Sequence, residues 1–251
     1  MTAVRGLGTI INTATVVGGG VVGLLVGGRI PERVREIVVQ VIGLATLALG
    51  LRDAIGTHNM VFPLVGMVAG AILGELAGIE RRLEGLGAAL QRRFAPGEAA
   101  AAGATGGGAA NGAVEADGSR FVRGFVTASL LYCVGPLTIL GAIQDASGET
   151  PQLYIVKGTL DGFMTIVLAA TYGVGAIFSA VSVFVVQGGL TLAGSGLDAV
   201  LDERMRVELF AAGGFAVTAI GLNLLRITRI RLGNLLPGLV VTPALVAIFA
   251  V

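Results

Sequence analysis

Apolar runs of about twenty residues recur along the chain, divided by short polar, glycine or proline breaks. A helix of about twenty apolar residues crosses a hydrocarbon core of roughly 30 Å. The pattern predicts spans at residues 8–28, 34–51, 60–79, 121–143, 153–174, 176–194, 207–225 and 234–251. Two runs carry helix-breaking sequence inside them, Gly135-Pro136 in the fourth and Pro237 in the eighth. There the proline ring removes a backbone hydrogen bond. Glycines four apart, Gly19, Gly23 and Gly27 and then Gly66, Gly70, Gly74 and Gly78, form stripes along which another backbone approaches closely. The expected fold class is all-α integral membrane, with about eight transmembrane helices.

Residues 80–119 depart from this pattern. The first part, ERRLEGLGAALQRRF, reads as a short amphipathic helix with Leu83, Leu86 and Leu90 on one side. The remainder, up to Ser119, is Ala/Gly low complexity, which buries too little surface to offset its ordering entropy and is expected to be a disordered linker. Residues 144–152 read as a polar loop holding Asp145 and Glu149.

The second span is written twice. Glu32, Arg33, Arg35, Gly43, Ala45, Ala48, Gly50 and Leu51 recur 171 positions on as Glu203, Arg204, Arg206, Gly214, Ala216, Ala219, Gly221 and Leu222. Upstream, residues 8–16 resemble 175–183. Matched charges at three offsets set this apart from chance agreement between glycine- and alanine-rich helices, so an internal duplication is expected. The layout is then two three-helix repeats, 1–79 and 175–251, flanking a central helix pair at 120–174, with 80–119 as a cytoplasmic linker. An odd number of spans precedes the second copy, which makes the repeats inverted. The arginines agree. Arg29, Arg33, Arg35, Arg81, Arg82, Arg92, Arg93, Arg120, Arg123, Arg226, Arg229 and Arg231 fall on one side, against Arg5, Arg52, Lys157, Arg204 and Arg206 on the other. The positive-inside rule then places both termini outside.

Composition narrows the function classes. Only 13% of the 251 residues are charged, against about 25% in soluble domains, and the mean hydropathy is +0.87. A net charge of +1 gives no electrostatic footing for nucleic acid. The single cysteine, Cys133, excludes an internal disulfide and a cysteine metal cluster. No Ser/His, Cys/His or metal constellation lies in the spans, so no enzyme, cofactor or metal site is expected.

Several blocks in order, GTIINTATVVGG, RIPERVREIVVQVIGLATLALGL, YCVGPLTILGAIQDA, VKGTLDGFMTIVLAATYGVGAIFSAVSVFVVQGGLTL and GNLLPGLVVTP, resemble the YqgA-like bacterial membrane proteins, a domain-of-unknown-function family. The resemblance covers nearly everything outside the Ala/Gly linker. It implies a multi-pass protein of the bacterial inner membrane and supplies no activity and no site residues.

Within the spans, Lys157 and Asp161 are four apart and share a helix face. Charge at such depth is costly and faces a cavity or a partner. A structural ion pair and a cation- or proton-carrying Asp161 are both consistent with that spacing. Asn12 aligns with Ser179, placing polar groups at equivalent depths in both copies, which interhelical bonding and ligand contact explain equally. The breaks at Gly135, Pro136 and Pro237 free backbone groups that only protein or a cavity can satisfy. Inverted-repeat transporters with broken helices hold their site near the midplane. The candidate site is therefore Asp161, Thr138, Gln187, Asn234, Asn12 and Ser179. The expected function is transport of a small solute or ion, with H+ or Na+ coupling open. An oligomeric ion channel and a non-transporting scaffold or sensor are the alternatives. The expected partners are the lipid bilayer, the transported species and a second copy of the chain.

Overall fold

The computed structural model describes residues 4–27, 29, 31–94, 120–148 and 150–249. They form helices α1 (Leu7–Gly27), α2 (Glu32–Ile55), α3 (Val61–Ala77), α4 (Ile79–Phe94), α5 (Arg120–Cys133), α6 (Pro136–Ala146), α7 (Gln152–Tyr172), α8 (Gly175–Val200), α9 (Glu203–Leu224) and α10 (Gly238–Phe249). A 3₁₀ turn, Leu232–Leu235, precedes α10, and no strand occurs among the described residues. Six helical segments are long and apolar enough to cross a membrane, and the number reaches eight if each bent pair is one span. The bent pairs are α3 with α4, at 54°, and α5 with α6, at 62°.

Local chemistry explains where the helices stop. Gly78 takes a left-handed conformation at the α3–α4 bend (φ 63°), where a side chain would be strained. Gly173 does the same in the turn between α7 and α8 (φ 79°). The expected sixth span is longer than its pattern suggested, because Gly194 packs against Ala142 and Ala146 instead of ending the helix. The seventh starts early because the Asp202 side chain accepts from the Met205 N–H at 2.7 Å, drawing Glu203, Arg204 and Arg206 into α9. The amphipathic stretch after residue 79 is the helix α4, which packs on α5 and the 3₁₀ turn. The Ala/Gly stretch expected to be disordered, 95–119, lies outside the described residues.

The glycine stripes set the packing. A side chain at Gly19 would strike Gly162, one at Gly23 Ile166, and one at Gly27 Ala170, so α1 and α7 run parallel in backbone contact. Gly66 faces Thr242, Gly70 faces Gly238 and Gly74 faces Asn234, so α3 and α10 run antiparallel. Between α2 and α9 the contacts are reciprocal. Gly50 meets Thr218 while Gly221, which stands 171 positions after Gly50, meets Leu47, which stands 171 positions before Thr218. Gly43 meets Leu225, and Gly214 meets Ala54, by the same correspondence. Rising numbers on one helix meet falling numbers on the other, so this pair is antiparallel too. Finally α8 lies antiparallel to α1, with Thr191 beside Thr9 and Ile177 beside Gly20, and parallel to α5, with Ser182 bonded to Ser129 and Gly175 against Phe121.

Candidate functional site

Three helices contribute one buried polar stripe each. On α1 the buried face includes Thr9, Asn12, Val16 and Gly20. On α7 it includes Tyr154, Lys157, Asp161 and Thr165, and on α8 Ser179, Val183, Gln187 and Thr191. Spacings of three and four keep each set on one helix face. Gly158 and Gly162 bring α7 close enough that a Cβ there would touch Asn12 and Thr15.

The stripes converge on Asn12. Its Nδ2 donates to Asp161 Oδ2 at 3.0 Å and to Gln187 Oε1 at 3.0 Å. The Lys157 ammonium donates to the same Asp161 oxygen. Asn12 and Gln187 are fully buried, and Lys157 and Asp161 are 5% and 7% exposed. The carboxylate decides the amide orientations. It requires the Asn12 NH2 to face it, and that NH2 in turn requires the Gln187 oxygen. The other ends, Asn12 Oδ1 and Gln187 Nε2, are then buried without a partner. An unmet buried polar atom costs about 1–3 kcal/mol. The cluster therefore carries hydrogen-bonding capacity that the protein itself does not use.

One turn lower is a second polar layer built on Asp145. This carboxylate is 1% exposed and accepts from the Gly8 N–H (3.0 Å), the Thr9 N–H (3.2 Å), the Thr9 hydroxyl (3.2 Å) and the Thr191 hydroxyl (3.4 Å). It thereby occupies the start of α1, where unpaired N–H groups favour negative charge. Asp145 belongs to α6 and is not in a loop, because α6 continues to Ala146.

The α5–α6 break forms the remaining wall. The Thr138 hydroxyl donates to the Tyr132 carbonyl at 3.1 Å, meeting a backbone group that the broken helix leaves free. The Tyr154 hydroxyl donates to the Thr138 carbonyl at 2.8 Å. Thr165 donates to the Tyr132 hydroxyl at 2.9 Å. The Lys157 Nζ lies 5.9 Å from the centre of the Tyr132 ring, within reach of a cation–π contact.

Of the expected site residues, Asn12, Asp161 and Gln187 come together. Thr138 lies one contact away and serves the Gly135–Pro136 break. Ser179 is buried on α8 but donates to its own Ala176 carbonyl at 2.6 Å. Asn234 is elsewhere. It accepts from the Glu80 N–H at 2.9 Å and donates to Glu75 at 2.6 Å, tying the 3₁₀ turn before Pro237 to α3 and α4. Arg231 pairs with Glu75 at 2.6 Å, and Glu80 accepts from the Gly233 N–H. The Glu80 carboxyl, outside the spans, is pushed up from its ordinary value by burial, with the Gly233 bond opposing. A third buried carboxylate, Glu208, accepts from the His58 and Asn59 N–H groups at 3.0 Å each and from the Thr57 hydroxyl. It borders a cavity of about 190 Å³ lined by His58, Asn59, Phe62, Arg204 and Val246.

The polar core sits in a chain with a relative that is named a membrane protein. Residues 7–247 match the family described as "Protein of unknown function (DUF554)". The chain belongs to this family. It is 28% identical over 244 residues to "Uncharacterized membrane protein YdfK" of Bacillus subtilis (strain 168), covering 95% of each chain. It is 25% identical over 241 residues to "Uncharacterized protein YqgA" of Escherichia coli (strain K12), covering 96% of each. No solved structure matches the chain. The resemblance read from the sequence blocks thus holds over nearly the whole length.

Proposed function

We propose that this protein carries a small ion or solute across the bacterial inner membrane and binds it at the Asn12–Lys157–Asp161–Gln187 cluster. The observation that carries this reading is the pair of partnerless atoms, Asn12 Oδ1 and Gln187 Nε2, beside a buried ion pair. Asp161 lies nine residues into α7, roughly 14 Å deep at 1.5 Å per residue, near the middle of a bilayer core. Ionisable groups at that depth are costly, face the bundle interior or a cavity, and include those that line ion and substrate pathways.

The reciprocal α2–α9 contacts support an inverted repeat. When residue i meets j and their counterparts meet in exchange, a two-fold axis relates the copies. For antiparallel helices that axis is perpendicular to both, which puts it in the membrane plane. Counting α3, with the charged α4 left outside it, and the bent pair α5–α6 as one span each gives an even number of crossings, with both termini on the same side. The arginine-rich end, which holds α4 and the start of α5, then faces the cytoplasm, leaving both termini outside.

Purified protein in liposomes, screened for gradient-driven uptake of ions and small solutes, tests the reading. Saturable uptake that disappears in Asp161→Asn is expected. A non-saturating current would indicate a channel, and no flux at all a scaffold or sensor. Undiminished uptake by folded Asp161→Asn protein would remove the site from the pathway.

A further inference from the structure

We infer that the Asp161 site takes an alkali-metal cation, and that the Lys157 ammonium is a tethered occupant which the cation displaces. This rests on the transport reading and names its substrate class. Both donors that reach the carboxylate, Lys157 Nζ and Asn12 Nδ2, fall on Oδ2. Asp161 Oδ1 receives no hydrogen bond, and neither does Asn12 Oδ1, whose own amide nitrogen already touches the carboxylate. Two acceptor oxygens without protein donors thus belong to the residues that meet at Asp161 Oδ2, and one of them, Asn12 Oδ1, is buried. Carboxylate and amide oxygens are the ligands that hard cations prefer.

Charge selects among the alternatives. An anion seeking Lys157 would have to enter against the fixed Asp161 carboxylate, which already holds that ammonium. A divalent cation would leave a net positive charge on the single carboxylate of this buried cluster, and among the described residues no group of three His, Cys, Asp or Glu side chains is placed to hold a metal ion. A neutral solute would leave the ion pair in place and give Asp161 Oδ1 no positive partner. A monovalent cation fits, because a single carboxylate is neutralised by one positive charge at a time. Lys157 has a place to withdraw to. It reaches Asp161 from one turn away on a flexible four-carbon stem, and the Tyr132 ring lies 5.9 Å from Nζ. The ammonium therefore holds the site when no cation is present and yields it when one arrives.

The test is equilibrium binding of radioactive Na+ to the purified full-length protein. Thermal stabilisation by Li+, Na+ or K+ against N-methylglucamine, at constant ionic strength, accompanies it. Wild-type protein should bind at least one of the three saturably, and Asp161→Asn none. Lys157→Gln removes the competitor and should bind roughly tenfold more tightly, whereas loss of the ion pair alone predicts weaker or absent binding. Should Lys157→Gln fail to fold, Lys157→Arg carries the test, because its firmer grip on the carboxylate should weaken cation binding several-fold. Unchanged affinity in Lys157→Arg, or weaker binding in folded Lys157→Gln, overturns the displacement. Asp161-dependent flux of a neutral solute or anion, with no cation binding, overturns this inference and leaves the transport reading standing. Saturable cation binding without any flux does the reverse.

Discussion

Two helix pairs in this molecule join the same two matching stretches of sequence, and they differ in how far the match extends to their contacts. Between α2 and α9 the glycines recur in both copies and the contacts are mirrored, Gly50 to Thr218 and Gly221 to Leu47. Between α1 and α8 the correspondence is broken. Asn12 reaches Gln187 and Asp161, whereas its match Ser179 turns back to its own helix at Ala176. Backbone contact tolerates almost no substitution, so packing holds the first pair alike. Chemistry needs a carboxylate, an amide and an ammonium in one place, and duplicating that set would double the cost of burying charge. Asn12 carries the polar contacts, and Ser179 stands aside from them.

The largest expected effect lies in the mirrored pair. Gly50→Val and Gly221→Val each drive a branched side chain into the partner backbone. Overpacking of this kind costs about 1–3 kcal/mol and more where backbone must move. Both variants should lose most of the monodisperse, detergent-extracted protein, and to a similar extent. Tolerance of one with collapse of the other would show that the mirrored contacts are unequal in energy.

Next comes the layer beneath the cluster. Asp145→Ala leaves the Gly8 and Thr9 N–H groups without their acceptor, and each such buried group costs about 1–3 kcal/mol. Thermal melting in detergent should fall clearly, with Asp145→Asn intermediate because one amide oxygen remains to accept. An unchanged melting point would mean that water reaches the start of α1.

The asymmetric pair offers a gentler break. Asn12→Ser gives α1 the residue its copy carries, and interhelical bonds inside a bilayer are worth only about 0.6–2 kcal/mol. Stability should fall slightly while uptake in liposomes falls at least tenfold. Parallel small losses in both would return Asn12 to a purely structural role.

The smallest effect is electrostatic and lies at the arginine-rich end. Burial raises the Glu80 carboxyl above its usual 4.5, so the folded state holds that proton more tightly than the unfolded chain. The resulting stability is complete below about 4.5 and lost as pH rises through the elevated value. Lowering the pH from 7 towards 5 should therefore raise the melting point of the wild type relative to Glu80→Gln. A constant difference between the two across that range would contradict the shift.

Much of this architecture was legible because a bilayer restricts what a sequence can mean. Apolar run lengths gave the helices, Gly135–Pro136 and Pro237 marked real interruptions, and the likeness between residues 30–51 and 201–222 named the glycines that lie in mirrored contact. The site was half legible. Asn12, Asp161 and Gln187 stood out as polar residues inside apolar runs. Thr9 and Thr191 were readable by the same rule, each on the buried face of Asn12 or Gln187. Asp145 was not. An acid just before Ser147 and Gly148 looks like any loop carboxylate, and only the approach of α1, far away in sequence, shows what it binds. Asn234 misled for the converse reason. Its place beside Pro237 implied a midplane break, yet Glu75 and Glu80 hold it at the end of the bundle.

The parallel seating of α1 on α7 also bears on how the chain is made. Gly19 meets Gly162 and Gly23 meets Ile166, so the main neighbour of α1 is synthesised 143 residues after it. At about 5–20 residues per second, α1 waits roughly 7–30 s in the bilayer before that neighbour emerges. Throughout that delay the Asn12 amide has neither Asp161 nor Gln187 to meet and must face lipid, the insertion machinery or a stray polar group. Assembly is thus a late docking of helices already inserted, and chains truncated before residue 152 would display an uncovered amide and a bare glycine groove.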